Sequence, residues 1–188
     1  MLRCHELVAA GRSWSQLVGV SLFCALVLVV LFAAAIVGGL LVARDALVDD
    51  YPAAIRERYG VRSARGKRAA GVMGALNAVV FVAVPVVGLV DLHGRADGGL
   101  GFWRAFVFGG LVWLALVLFD LVVLDWWLFC TVRPRFMVLP GTEGMAEYRD
   151  YGFHWRVLVP RPVPWPLLTV LGYGAVVGAV SALVEAIF

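Results

Sequence analysis

Four long apolar runs dominate the pattern of hydrophobic and polar positions along this chain. Each run reaches the roughly 20 residues that a helix rising about 1.5 Å per residue needs to cross a hydrocarbon core about 30 Å thick. We therefore predict four membrane-spanning helices. The runs cover residues 17–43, 69–90, 105–130 and 163–188.

The composition agrees with a membrane protein. Of the 188 residues 62% are hydrophobic and only 15% are charged, and the mean hydropathy is +0.91. Such a chain has too few polar residues to cover its own surface in water. The first run is much longer than the h-region of a signal peptide, so we expect it to be retained. We predict a single-domain, all-α, polytopic membrane protein, a four-transmembrane-helix bundle with two structured cytoplasmic loops, 44–68 and 131–162.

The basic residues indicate how the chain is oriented. The two long loops carry twelve Lys and Arg residues, whereas the N-terminal segment and the loop between the second and third runs carry four. The positive-inside rule therefore places the long loops in the cytoplasm and both termini outside. Because the composition, rich in Arg, Ala, Val and Gly, is typical of a GC-rich bacterium, we expect a bacterial cytoplasmic (inner) membrane.

The first long loop contains the sequence DDYPAAIRERYG. Pro52 at its start and Gly60 at its end are start and stop signals of a short helix. A basic cluster follows, and beside a membrane span it favours contact with anionic lipid headgroups. Because aromatic base-stacking residues are missing, we do not expect nucleic acid as a partner. The cluster comprises Arg62, Arg65, Lys67 and Arg68.

The second long loop contains two short apolar segments, 136–139 and 154–159. Turn residues separate them, and we predict two short strands.

Polar side chains fall inside the predicted spans, and three of them stand out by their depth. At 1.5 Å per residue, Asp120, Asn77 and Tyr173 lie at similar depths in the inner half of the membrane. An ionised Asp120 there would cost about 2.5 to 3.5 kcal/mol, so it should be protonated or hydrogen-bonded. We predict an intramembrane polar layer in which Asp120 donates to Asn77 and Tyr173 assists, holding the helices together. The alternative is a proton or cation site, because intramembrane acids often mark ion pathways.

Asp125 lies five residues beyond Asp120 at the end of the third run. At 100° per residue of an α-helix the two carboxylates point about 140° apart, so they are not expected to act as a pair. Arg133 and Arg135 are within reach of Asp125, and an ion pair fixing the loop is expected at this interface.

Two helices carry faces of small residues, which let helices approach closely in a membrane. Gly174 and Gly178, followed by Ala182, form one such face, and Gly74 and Ala78 form another. They can serve the internal bundle, a homo-oligomer or a larger membrane complex.

Several kinds of chemistry lack their usual residues. The three histidines lie outside the predicted spans and the three cysteines are far apart, so neither haem ligation nor thiol chemistry is indicated. Nucleotide-binding loops, zinc-protease motifs and serine-hydrolase motifs are missing, and we predict no metal and no cofactor. The remaining catalytic candidates are Glu143, Asp150 and His154, which a lipid-phosphate enzyme could use as acids and bases.

These observations leave three functions open. We expect a small structural or accessory subunit that acts through helix packing and a cytoplasmic docking loop. The second possibility is an oligomeric proton- or cation-coupled transporter centred on Asp120. The third is an interfacial enzyme acting on a lipid phosphate, and the lack of a recognisable catalytic motif weighs against it.

Overall fold

The computed structural model describes residues 2–96, 99–160 and 162–187, with side chains from residue 14 onward. The described part is all-α and contains no strand. The α-helices are α1 (Leu2–Val42), α2 (Ala53–Tyr59), α3 (Ala64–Arg95), α4 (Phe102–Phe119), α5 (Tyr151–Leu158) and α6 (Trp165–Ile187). A π-helical segment, Asp120–Val132, continues α4, and two short 3₁₀ turns cover Val48–Asp50 and Ala146–Arg149.

Four helical stretches are long and apolar enough to cross a membrane, which confirms the prediction of an all-α protein with four spans. They are Trp14–Val42, Ala64–Arg95, Phe102–Val132 and Trp165–Ile187. The second stretch is longer than the apolar run that predicted it, so His93 lies in its last turn and not in a loop. Phe188, which closes the predicted fourth span, lies outside the described residues.

The two strands predicted in the second long loop are wrong. Residues 136–139 lie in turns, and His154 to Leu158 belong to α5. The side chain of Asp150 accepts a hydrogen bond from the backbone N–H of Phe153 and so caps α5 at its start. A six-residue apolar segment is too short to distinguish the hydrophobic period of a helix from that of a strand. The hydrogen bond from the Phe153 N–H to the Asp150 side chain stabilises the helix start.

The short helix predicted in the first long loop is confirmed as α2. Pro52 precedes its first residue, where a missing N–H is tolerated. Gly60 ends it with φ 93°, a conformation that favours glycine because a Cβ would clash.

The chain divides into two compact units. Unit 1 comprises Met1–Val29, Phe81–Leu116 and Pro166–Phe188, and unit 2 comprises Val30–Val80 and Val117–Trp165. In unit 1 the α6 face of small residues packs on α4. A Cβ added at Gly174 would lie 2.8 Å from the carbonyl oxygen of Phe106, and one at Gly178 would lie 2.9 Å from the Phe102 ring. Glycine therefore sets the close approach of these helices.

Unit 2 is built around a core that both long loops share. Tyr51 packs edge-on against Phe129 with ring centroids 5.0 Å apart and against Tyr148 at 6.1 Å. The Tyr51 hydroxyl donates to the backbone oxygen of Met137 at 2.8 Å. This core fixes the loops on the ends of the spans. Its buried members are Leu40, Val48, Tyr51, Ile55, Phe129, Cys130, Met137, Leu139 and Tyr148.

Candidate functional site: an acidic cavity in unit 2

The π-helical segment brings Asp120 and Asp125 to one cavity. In a π-helix each N–H bonds to the carbonyl five residues earlier, as the Arg133 N–H does to Leu128 at 2.8 Å. Residues five apart then point much closer to the same direction than in an α-helix, which would turn them about 140° apart. The separation expected from α-helical geometry is therefore wrong, and both carboxylates line the same space.

His154 on α5 provides the partner of Asp125. Its Nδ1 lies 3.2 Å from Asp125 Oδ2. The imidazole is 8% exposed and packs against the rings of Phe129 and Phe153 at centroid distances of 5.0 and 5.2 Å. Because a carboxylate only accepts hydrogen bonds, this contact favours the neutral tautomer with its hydrogen on Nδ1. Nε2 then holds a lone pair, and it is buried without a partner among the described residues.

Two hydrogen bonds hold α5 against the π-helical segment. The Trp126 indole N–H donates to the Tyr151 carbonyl at 3.2 Å, and the hydroxyls of Thr131 and Tyr151 lie 2.9 Å apart. Thr131 also donates to the Trp126 carbonyl five residues earlier, in the π-helical register. These contacts set the position from which His154 reaches Asp125.

Asp50 supplies a third carboxylate, from the first long loop. It ends the 3₁₀ turn before Tyr51 and lines the cavity together with Asp120 and Asp125. Asp50 is exposed, but partial desolvation by the surrounding protein, and next the charges of Asp49 and Asp125, raise its pKa above the ordinary value, while Arg62 and Arg56 oppose this. A proton or another cation would therefore relieve this group.

The cavity has a volume of about 300 Å³, and no Lys or Arg of the described chain lines it. Three carboxylates and one imidazole face a wall of aliphatic and aromatic side chains. The apolar part of the lining is Phe32, Ile36, Leu40, Leu47, Leu124, Phe129 and Met137.

The members of the predicted polar layer lie in two different units. Asn77 and Asp120 belong to unit 2, and the Oδ1 of Asn77 is buried without a partner among the described residues. Tyr173 belongs to unit 1, where its hydroxyl donates to the Phe81 carbonyl. Pro85, four residues later, has no N–H and cannot donate the usual α-helical hydrogen bond to that carbonyl. Trp113 stacks on the Tyr173 ring with centroids 4.4 Å apart.

The candidate catalytic residues of the second loop take up separate positions. His154 lines the acidic cavity, whereas Glu143 lines a second pocket together with Arg133 and Arg135. Asp150 caps α5 and pairs with Arg156 at 2.7 Å. Arg133 and Arg135, expected near Asp125, instead lie around the pocket of Glu143.

The remaining predicted residues also separate into groups. Arg62 pairs with Asp49 at 2.6 Å, and Lys67 is exposed. Arg65 and Arg68 stand at an apolar groove of about 510 Å³ between α1 and α3. Gly74 and Ala78 are exposed, and a Cβ at Gly74 would meet nothing within 4 Å. Ala182 is half-buried on α6.

Asp50 was not singled out from the sequence. Acidic residues are common in polar loops, and only the neighbouring Tyr51–Pro52 turn hints that this segment folds back. In unit 1, Glu185 was also missed. It accepts hydrogen bonds from the backbone N–H groups of Leu100 and Gly101 at 2.7 and 3.0 Å, just before α4 begins, and it faces His93 Nε2 at 2.9 Å. A negatively charged carboxylate is stabilising at the start of a helix, where backbone N–H groups point outward.

No group of three or more metal-ligating side chains with suitable geometry occurs within the described residues. No protein-family model, curated protein or solved structure matches this chain.

Proposed function

We propose that this protein is a small proton- or cation-coupled membrane transporter that binds its cation in the acidic cavity of unit 2. The observation that carries the proposal is the lining itself: Asp50, Asp120 and Asp125 share one cavity of about 300 Å³ without a basic side chain. Of the three functions that the sequence leaves open, this one uses that arrangement directly.

Electrostatics favours a positively charged occupant. Three carboxylates in one cavity repel one another when all are ionised, so the site gains stability by taking up a proton or by binding a cation. The two events exclude each other at the same carboxylate. Competition of this kind couples proton release to cation binding.

The pair of His154 and Asp125 can handle the proton. Asp125 lies 3.2 Å from Nδ1 and orients the ring, and Nε2 is buried without a partner among the described residues, where it can exchange a proton. The arrangement supports a proton step between the cavity and the second long loop.

The shape of the cavity limits the size of the substrate. A volume of about 300 Å³ is at the lower end of small-molecule sites. The aliphatic and aromatic wall suits the apolar part of a small organic cation. Asp120 lies within a span and Asp50 in a loop, so the cavity reaches from the membrane segment to the loop.

We further propose the bacterial cytoplasmic membrane as the location, with both termini outside and the two long loops in the cytoplasm. The count of basic residues supports this orientation. Anionic membrane lipids are the proposed partners of Arg65 and Arg68, which stand at the end of an apolar groove.

The proposal is tested with purified protein in liposomes that enclose a pH-sensitive dye. A potassium diffusion potential drives protons inward, and Na⁺ or tetramethylammonium is then added outside. The wild type should move protons faster than empty liposomes, and either cation that binds should change that rate. Asp120→Asn and Asp125→Asn should lower the flux to the background. Glu57→Gln, an exposed acid on α2, is the matched control and should keep the wild-type flux.

Wild-type flux in a folded Asp120→Asn protein would contradict the transporter. The second candidate, an accessory subunit, would then be favoured, and the exposed face of Gly74 and Ala78 supports it because such faces associate in membranes. Under that function Gly74→Leu should release a co-purifying membrane partner or a second copy of this chain, whereas Asp120→Asn should not.

A further inference from the structure

A second pocket in unit 2 has the opposite charge to the acidic cavity. Its volume is about 610 Å³, and three arginines line it, Arg44, Arg133 and Arg135, with a single acid, Glu143. The two cavities share no lining residue. This pocket is therefore a separate feature and does not depend on the proposed transport function.

The three guanidinium groups have no ion pair or hydrogen bond with any other described side chain or backbone group. Elsewhere in the chain Arg62, Arg95 and Arg156 each pair with an aspartate at 2.6 to 2.7 Å. The carboxylate in the pocket is already engaged, since Glu143 accepts the Gly141 N–H at 2.8 Å. Three like charges converge on one space, and a bound anion would offset their repulsion.

Arg133 occupies its position at a cost to the backbone. Its φ is 50° and its ψ 60°, and no other non-glycine residue of the described chain has a positive φ. Arg133 directly follows the π-helical segment, at the position where helices usually place glycine. A glycine would adopt this conformation without the steric penalty of a Cβ. Backbone strain of this kind is typical of binding sites, where the side chain has a use.

The pocket lies next to the ends of two membrane spans. Arg44 is two residues beyond Val42, which ends the first span, and Arg133 directly follows Val132, which ends the third. Lipid phosphate groups occupy this level of a membrane. Guanidinium groups bind phosphate through paired, charge-assisted hydrogen bonds.

We propose that the pocket of Arg44, Arg133 and Arg135 binds a phosphate group, carried either by a lipid headgroup or by a small soluble organic phosphate. The arginines hold the phosphate oxygens, and the Glu143 side chain, held by the 141 backbone, stands beside them. The pocket thus provides an anion site independent of the cation site.

Native mass spectrometry of the protein in a neutral detergent tests the site. A phosphatidic acid is the lipid probe, and glycerol 3-phosphate is the soluble one. We expect the wild type to bind at least one probe. Binding of the lipid alone identifies a headgroup site, and displacement of the lipid by glycerol 3-phosphate, or binding of the latter alone, identifies a soluble phosphate as the ligand.

Single changes of Arg44, Arg133 and Arg135 to Gln should each weaken binding about tenfold or more, as expected for loss of a charged hydrogen-bond partner. Arg149→Gln is the matched control, because Arg149 is an exposed arginine of the same loop that does not line the pocket. The proposal is overturned if neither probe binds, if the three variants bind like the wild type, or if Arg149→Gln weakens binding as much as they do.

Arg133→Gly separates binding from folding. This change removes the guanidinium and also the Cβ strain, so the thermal midpoint should stay the same or rise while the affinity falls. Arg133→Lys should retain part of the binding, since it keeps the charge but not the paired geometry. Undiminished binding by Arg133→Gly would remove Arg133 from the site.

Discussion

Asp45 shows how a single buried carboxylate organises the first long loop. It is 4% exposed, and it accepts the Ser63 N–H at 2.6 Å, directly before α3 begins. Burial acts to raise the pKa of Asp45, but hydrogen bonds from Ser63 and Tyr59 outweigh it and hold the pKa below its ordinary value. The folded loop therefore stabilises the ionised form of Asp45.

We predict that Asp45→Asn lowers the free energy of unfolding by about 1 to 3 kcal/mol at neutral pH, because a buried charged acceptor is lost. Since the folded pKa lies below the ordinary 3.8, the contribution is complete above that pH and is lost as the pH falls through the folded pKa. Thermal midpoints of both proteins in detergent, measured from neutral to acidic pH, should therefore converge in acid.

Asp49→Asn is the control for this series. The Asp49 side chain is 72% exposed and pairs with Arg62 at the surface, so its loss should change stability little. A difference between Asp45→Asn and the wild type that does not depend on pH would contradict the assignment.

At the residue scale the sequence identified the unusual acids of the spans but not those of the loops. Asp120 and Asp125 are conspicuous because every neighbour is apolar. Asp45 and Asp50 lie five residues apart in a polar loop, and nothing local indicates that Asp45 is buried or that Asp50 lines a cavity. These positions depend on contacts with other segments: Ser63 and Tyr59 for Asp45, and the cavity formed with residues 120 to 154 for Asp50.

At the element scale, helix ends and helix interiors were predictable to different degrees. The boundaries of α2 follow from Pro52 and Gly60, which act locally. The π-helical segment has no such local signal, and an α-helical period was assumed for it. This one difference of hydrogen-bond register turns Asp125 toward Asp120 and creates the acidic cavity.

The Phe81 carbonyl, four residues before Pro85 on α3, accepts a hydrogen bond from Tyr173 on α6. We predict that Tyr173→Phe lowers stability by about 1 to 2 kcal/mol, because the hydrogen bond from the Tyr173 hydroxyl to the Phe81 carbonyl is lost inside the membrane. Pro85→Ala provides a new N–H for that carbonyl. In the Pro85→Ala background the Tyr173→Phe change should therefore cost little.

The comparison needs the four proteins of a double-mutant cycle, unfolded in the same detergent. Additive effects of the two changes would show that the Tyr173 hydroxyl and the missing N–H of Pro85 do not act on the same carbonyl. The signal was present in the sequence, since residue 81 lies four before a proline, but the chain alone does not say which hydroxyl reaches it.

At the scale of the whole molecule, we predict that the C-terminal end of α3 is accessible from outside intact cells, whereas α2 is not. Single cysteines replace Gly94 and Glu57, which are both exposed, in a protein with Cys4 changed to Ser. Cys24 and Cys130 are buried and should react little. A membrane-impermeant maleimide should label Gly94→Cys in intact cells and Glu57→Cys only after lysis. Labelling of Glu57→Cys in intact cells would show that the first long loop faces outside and would contradict the proposed orientation.

The sequence by itself indicated a membrane protein with four spans and an all-α fold. It could do so because the length and apolarity of each run are properties of 20 or more neighbouring residues. It also showed the four-residue spacing of small residues on α6, which is a local property, but only the structure shows that this face packs on α4. Only the tertiary structure decided which charges meet. The helical register of Asp120–Val132, the docking of α5 and the fold of the first long loop bring three carboxylates and one imidazole to one cavity. Three arginines, two of them just after the π-helical segment, line another pocket. Which charged side chains come together depends on packing between segments that are distant in the sequence. No single stretch of the chain fixes the free energy of that packing.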